Sequence, residues 1–208
     1  ALCSNSAAAN LFAQLGGSST AGGTWAAPGG AAHSGTFVPG VDPTGIYTYT
    51  VGGAGACGTP VSSTVNVTVY PLPVAGTSTS LSVCSTDAAQ LLFPLLGATA
   101  MPGGTWTAPG GGAFAGSYNP AVNIPGVYTY TVTGTAPCPN ATATVTVSEG
   151  IPPNAGNDNS ITVCTSSAAF SMQAQLGGAP AGGGSWTAPR GGAFAGGFAP
   201  AVDAPGIY

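Results

Sequence analysis

The sequence predicts an all-β protein, a series of antiparallel β-sandwich repeats, and three observations carry that prediction. The chain repeats itself: Trp25, Trp106 and Trp186 lie 81 and 80 residues apart, and Cys3, Cys84 and Cys164 show the same two intervals. The 208 residues are therefore about two and a half copies of one unit. The clearest periodicity is that of a strand. In Gly126-Val127-Tyr128-Thr129-Tyr130-Thr131-Val132 the tyrosines and Val132 share one face and the threonines take the other, the pattern of a half-buried antiparallel strand. Finally, 35 glycines and 19 prolines punctuate short apolar runs, and no stretch sustains a helical period. About seven short strands in a unit of this size point to a sandwich.

Each unit reads in the same order. It opens on a β-branched run ending in cysteine, as in Leu81-Ser82-Val83-Cys84 and Ile161-Thr162-Val163-Cys164. A less regular apolar segment follows, such as Leu91 to Leu96, closed by Gly97. A Gly-Gly-Thr/Ser-Trp strand leads into an Ala-Pro-Gly-Gly turn, where proline pre-sets one dihedral and glycine accepts a positive one. A short strand around Phe114 and Tyr118, a proline-containing loop, the Tyr128 strand and a terminal Thr/Val strand (Ala141 to Val147, and Thr64 to Val69 upstream) complete the unit. Tyr70 to Ser80 and Ser148 to Ser160 read as linkers whose prolines forbid a continuous central strand. The chain thus divides into a first repeat (1–70), a second (71–148, with 71–80 as its leading linker) and a linker with an incomplete third repeat (149–208).

Charge is nearly absent. Arg190 is the one Lys or Arg, the acids are Asp42, Asp87, Glu149, Asp158 and Asp203, and charged residues make up 3% of the chain. Nucleic-acid binding needs clustered cations to displace phosphate counterions, which excludes that partner; attraction to anionic lipid fails for the same reason. Disorder is not expected either, because the chain is 44% hydrophobic. An ordinary soluble domain has about a quarter of its residues charged, so covalent glycans or burial in an assembly should cover this surface. No signal peptide, membrane span or lipidation motif is visible. The longest apolar run, Leu91 to Leu96, is too short for a bilayer and holds Pro94, so no direct membrane insertion is expected. The chain starts just before a cysteine and stops inside a repeat, and the expectation is a window of a longer protein.

The order Cys, Trp, Gly-Val-Tyr-Thr-Tyr-Thr-Val and a Thr/Val terminal strand resembles the immunoglobulin-like and PKD-like tandem repeats of very large bacterial surface proteins, including adhesins. The resemblance spans the whole chain and implies an immunoglobulin-like sandwich fold and an extracellular, cell-surface location, not a reaction. Cys3 and Cys57, like Cys84 and Cys138, are 54 residues apart, so the expected disulfides are Cys3–Cys57 and Cys84–Cys138, with the partner of Cys164 outside the chain. Cys138 lies ten residues after Tyr128, so each bridge should tie a loop to the first strand instead of crossing the core. A metal site, the alternative, lacks close cysteine pairs and histidines. Bridges imply an oxidising compartment.

The repeated tryptophan reads either as a sugar platform or, as preferred here, as a core residue flanked by glycines. Asn66-Val67-Thr68 and Asn140-Ala141-Thr142 match the N-glycosylation sequon, and strand parity turns Asn66 and Asn140 outward; O-linked sugars on the threonine faces are the other glycan route. No catalytic residues are expected: His33 is unique, with Phe114 and Phe194 in its place in the other units, and no triad or carboxylate pair recurs. Asp158, in an Asn-rich turn, is a candidate calcium ligand but lone, so neither metal nor cofactor is assigned. The expected function is an extracellular structural array, a stalk, fibre or filament whose partners are its own copies or adjacent repeats and covalent glycans. Strand donation into the half repeat is a sharper version of it. The alternative is an adhesin segment binding glycan or a surface protein.

Overall fold

The computed structural model describes residues 1–53 and 58–208. The fold is all-β with a few single turns of 3-10 helix. It divides into two compact units, one of Ala1–Val83 with Asp87–Glu149 and one of Cys84–Thr86 with Gly150–Tyr208. The first and second repeats therefore share a unit, and the third belongs to the other.

In the first repeat the strands are β1 (Leu2–Cys3), β2 (Ala9–Asn10), β3 (Thr24–Ala26), β4 (Ala32–His33), β5 (Thr36–Phe37), β6 (Gly45–Val51), β7 (Val61–Val67) and β8 (Val69–Tyr70). The second has β9 (Thr79–Cys84), β10 (Gln90–Leu91), β11 (Thr105–Thr107), β12 (Ala113–Phe114), β13 (Ser117–Tyr118), β14 (Gly126–Val132) and β15 (Ala141–Gly150). The principal sheets have the orders β4-β3-β6-β7 and β12-β11-β14-β15-β9. Small antiparallel pairs, β2 with β5 and β10 with β13, form separate two-stranded sheets. The long hairpin is in full register, Tyr128 opposite Val145 and Tyr130 opposite Ala143. It forms where the alternation predicts: Tyr128, Tyr130 and Val132 are buried while Thr129 and Thr131 face out.

Each of these two repeats has its own core. In the first repeat it joins Leu11, Trp25, Phe37, Tyr47, Tyr49 and Val67; in the second, Leu92, Leu96, Trp106, Tyr118, Tyr128, Tyr130 and Val145 are among its members. The single short strand expected around Phe114 and Tyr118 is in fact two, β12 pairing with β11 and β13 with β10. Gly116 separates them. Its φ of +87° is a conformation that side chains resist, and a Cβ there would lie 3.0 Å from the Trp106 ring.

The linkers pack onto the repeat that follows them. Ala75 is buried in the second core, Thr77 N–H donates to the Leu96 carbonyl and Met101 N–H to that of Val74. In the other unit Asn157 N–H donates to Gly177 and Ala181 N–H to Asn154. The third repeat contributes β16 (Phe170–Ser171), β17 (Trp186–Thr187), β18 (Ala193–Phe194) and β19 (Gly197–Phe198), paired β16 with β19 and β17 with β18.

Candidate functional site

A Trp–Tyr cage recurs in the complete repeats. Trp25 and Trp106 are each 8% exposed, with ring centroids 5.0 Å from Tyr49 and 5.1 Å from Tyr130. Trp25 and Trp106 are core residues, and for these two the sugar-platform reading gives way, whereas Trp186 is only half-buried. The Tyr130 hydroxyl accepts the Gly104 N–H (2.8 Å) and donates to the Met101 carbonyl (2.7 Å). Tyr49 does the same with Gly23 (2.7 Å) and Thr20 (2.8 Å). The second glycine of each Gly-Gly-Thr-Trp is thereby explained: a Cβ on Gly104 would lie 2.5 Å from the Thr131 carbonyl oxygen.

The other tyrosine of each pair forms a corner. Tyr47, Tyr128 and Tyr208 each donate to the carbonyl four residues upstream, Pro43, Ile124 and Ala204, at 2.7 Å. Burial pushes the Tyr128 phenol above its ordinary range; burial and then the nearby Asp42 do the same to Tyr47.

The cysteines depart from expectation. Cys3 is bonded to Cys138, 135 positions away, with a Cα separation of 4.9 Å. This replaces both expected bridges, Cys3–Cys57 and Cys84–Cys138, since each sulfur makes one such bond; Cys57 itself lies outside the described residues. The reason is strand direction. β1 runs parallel to β8, Leu2 opposite Val69 and Cys3 opposite Tyr70, so the opening strand ends where its repeat ends. In the second repeat Ser78 bonds Thr144 and Ser82 bonds Ser148, so β9 also advances alongside β15. Cys138 sits in the hairpin before β15 begins, at the opposite end of the repeat. Ala141 to Ser148 is about 23 Å of strand, against the ~7 Å limit on a disulfide's Cα separation. The far end of the first repeat meets the near end of the second, and there Cys138 Sγ lies 3.4 Å from the Tyr70 carbonyl oxygen. The sulfurs are buried. Cys164 is a free, exposed thiol.

Asn66 and Asn140 are both exposed, as parity requires. Asn140 also closes its hairpin loop, its side-chain oxygen accepting the Gly134 N–H at 3.0 Å. The outward face of the second sheet carries threonines in register, Thr105–Thr131–Thr142 in one row and Thr107–Thr129–Thr144 in the next.

The acids do structural work. Asp42 and Asp203 accept the N–H groups of Val38 and Ala199 at 2.6 Å, and Asn123 accepts that of Asn119 at 2.7 Å in the equivalent loop. His33 Nε2 is 3.5 Å from Asp42, while its Nδ1 accepts the Gly35 N–H. Glu149 accepts the Tyr118 hydroxyl at 2.8 Å; burial first, and then that bond, push the phenol up to about 12. The sequence held no signal for this pair, whose members are 31 positions apart and do not recur. Around Asp158 the asparagine side chains bond backbone: Asn154 donates to Gly178 and Ala179, and Asn159 to Gln175.

A cleft of about 670 Å³ in the second unit is lined by Trp186, Tyr208, Asp158, Gln173 and Leu176 among others. Tyr208 is the counterpart of Tyr47 and Tyr128. Compared with known protein families and with curated proteins, the chain matches none.

Proposed function

We propose that the chain is part of an extracellular structural array of immunoglobulin-like β-sandwich repeats, a stalk, fibre or surface filament that bears load along its length. One observation carries this reading: the first and last strands of a repeat lie side by side and run the same way. The chain thus enters a repeat at one end and leaves at the other. Pulling on the two ends draws neighbouring strands past each other and loads their hydrogen bonds together. A hairpin pulled from its open end gives way bond by bond.

Other features agree. A tyrosine hydroxyl bonded to backbone a few residues upstream is a hallmark of immunoglobulin-like sandwiches, and it recurs in all three repeats. The disulfide suits an oxidising, extracellular setting. Val41, Val122 and Val202, equivalent positions, are 79%, 75% and 84% exposed. With so little charge, such a surface suits lateral contact with further copies or a glycan coat on the threonine faces and on Asn66 and Asn140.

The test is single-molecule pulling of the second repeat from two pairs of attachment points. Handles at Thr79 and Gly150 load β9 against β15 lengthwise, whereas handles at Thr79 and Asn140 peel the sheet. The first geometry is expected to need a several-fold higher unfolding force. Equal forces would sink the load-bearing reading.

A further inference from the structure

Tension follows the shortest covalent path. Entering at Ala1, that path reaches Cys3, crosses the disulfide to Cys138 and continues through β15. The 134 residues between the bonded cysteines lie off it, since the two are 135 positions apart. The detour contains every member of the first core, Leu11, Trp25, Phe37, Tyr47, Tyr49 and Val67. It also holds the second core up to Val132, leaving Ala143, Val145 and Val147 on β15. We infer that the Cys3–Cys138 bridge is a load bypass: it routes tension from the start of the first repeat directly into β15, so that the first repeat bears none and the extensibility of the unit is set by redox state. The inference rests on the load-bearing reading above and limits it: with the bridge closed, β1 and β8 lie off the tension path, and their lengthwise loading belongs to the reduced chain.

The position of the bridge fits that role. It delivers force to the longest strand described, ten residues from Ala141 to Gly150, which is paired with β14 on one side and β9 on the other. Its sulfurs are shielded, Cys3 being 2% and Cys138 6% exposed, so a reductant has little access while the fold is intact. Opening the bypass takes a dithiol: one thiolate attacks a cystine sulfur, its second thiol resolves the mixed disulfide, and two cysteine thiols and a cyclic disulfide result.

The whole chain, held by its two ends, is pulled to full extension in its oxidised form. It is pulled again after reduction with dithiothreitol in denaturant and refolding under the reductant. At about 3.5 Å per extended residue, reduction is expected to add about 470 Å of contour length. A C3S/C138S variant is expected to show the longer contour without reductant, and because contour is read from the unfolded chain, a folding defect in that variant does not obscure it. No gain on reduction, or two separate gains of about 190 Å each from loops of within-repeat size, would overturn the inference. Low unfolding forces with the 470 Å gain intact would remove the load-bearing reading and leave the routing standing; high forces without the gain would do the reverse.

Discussion

Tyr118 sets the second repeat apart from its neighbours, which have Phe37 and Phe198 at the equivalent place. Its hydroxyl is held by Glu149 and its phenol is raised to about 12. The fold favours the neutral form. The stability that form lends is intact below the ordinary phenol range near 10, and it is lost as pH rises through about 12. Buried Tyr47 and Tyr128 shift the same way. Ultraviolet titration should show these phenols ionising only together with unfolding; smooth ionisation of all tyrosines near pH 10 would contradict it. Tyr118→Phe should still fold, at a cost of about 1 kcal/mol for the lost hydrogen bond. Gly104→Ala should cost more, about 2 kcal/mol, because the new methyl meets the Thr131 carbonyl oxygen and the Tyr130 ring. Gly112→Ala, with nothing within 4 Å of its Cβ position, is the control, and denaturant midpoints decide between them. That glycines flank the strand tryptophan was readable from the sequence. Which of them leaves no room for a Cβ was not, since the obstructing atoms come from a strand some 26 positions away.

At the scale of elements, the strands with the strongest alternation were the legible ones. β14 and β15 follow their two-residue period, because one buried face imposes it. The division of Ala113–Tyr118 into β12 and β13 was hidden, since it depends on Gly116 facing the Trp106 ring. The linkers were legible as proline-interrupted, but their packing was not: Ala75 reads as a spacer residue until the space beside Leu96 is known. Disulfide pairing was lost for a related reason. Periodicity identifies a strand without giving its direction, and direction decides which end of a repeat holds its cysteine. The tyrosine corner ties these elements together, since Tyr128 fixes the turn at Ile124 from which β14 starts. Tyr128→Phe keeps the buried ring and removes that bond. It should lower stability by about 1 kcal/mol and raise amide exchange in residues 119–126 first. Uniform exchange across the repeat would argue that the corner has no local role.

For the whole molecule, the bridge changes which parts share a fate. It closes a loop that holds nearly all of both complete cores, so its loss relaxes the unfolded state of the two repeats together. In the chain-entropy treatment a loop of this size contributes roughly 5 kcal/mol, which is comparable to the entire stability of many small domains. Reduction should therefore lower amide protection in β6 and β14 alike, on the order of a thousandfold or more in the most protected amides. β19 lies outside the loop, in the other compact unit, and should be unchanged. Hydrogen exchange followed by mass spectrometry, on oxidised and reduced chain, separates these segments directly. Were reduction to weaken β14 and leave β6 as it was, the two repeats would be independent and the bridge a local clasp. Joint weakening of both, with β19 untouched, is the signature of a staple that makes two repeats one cooperative body.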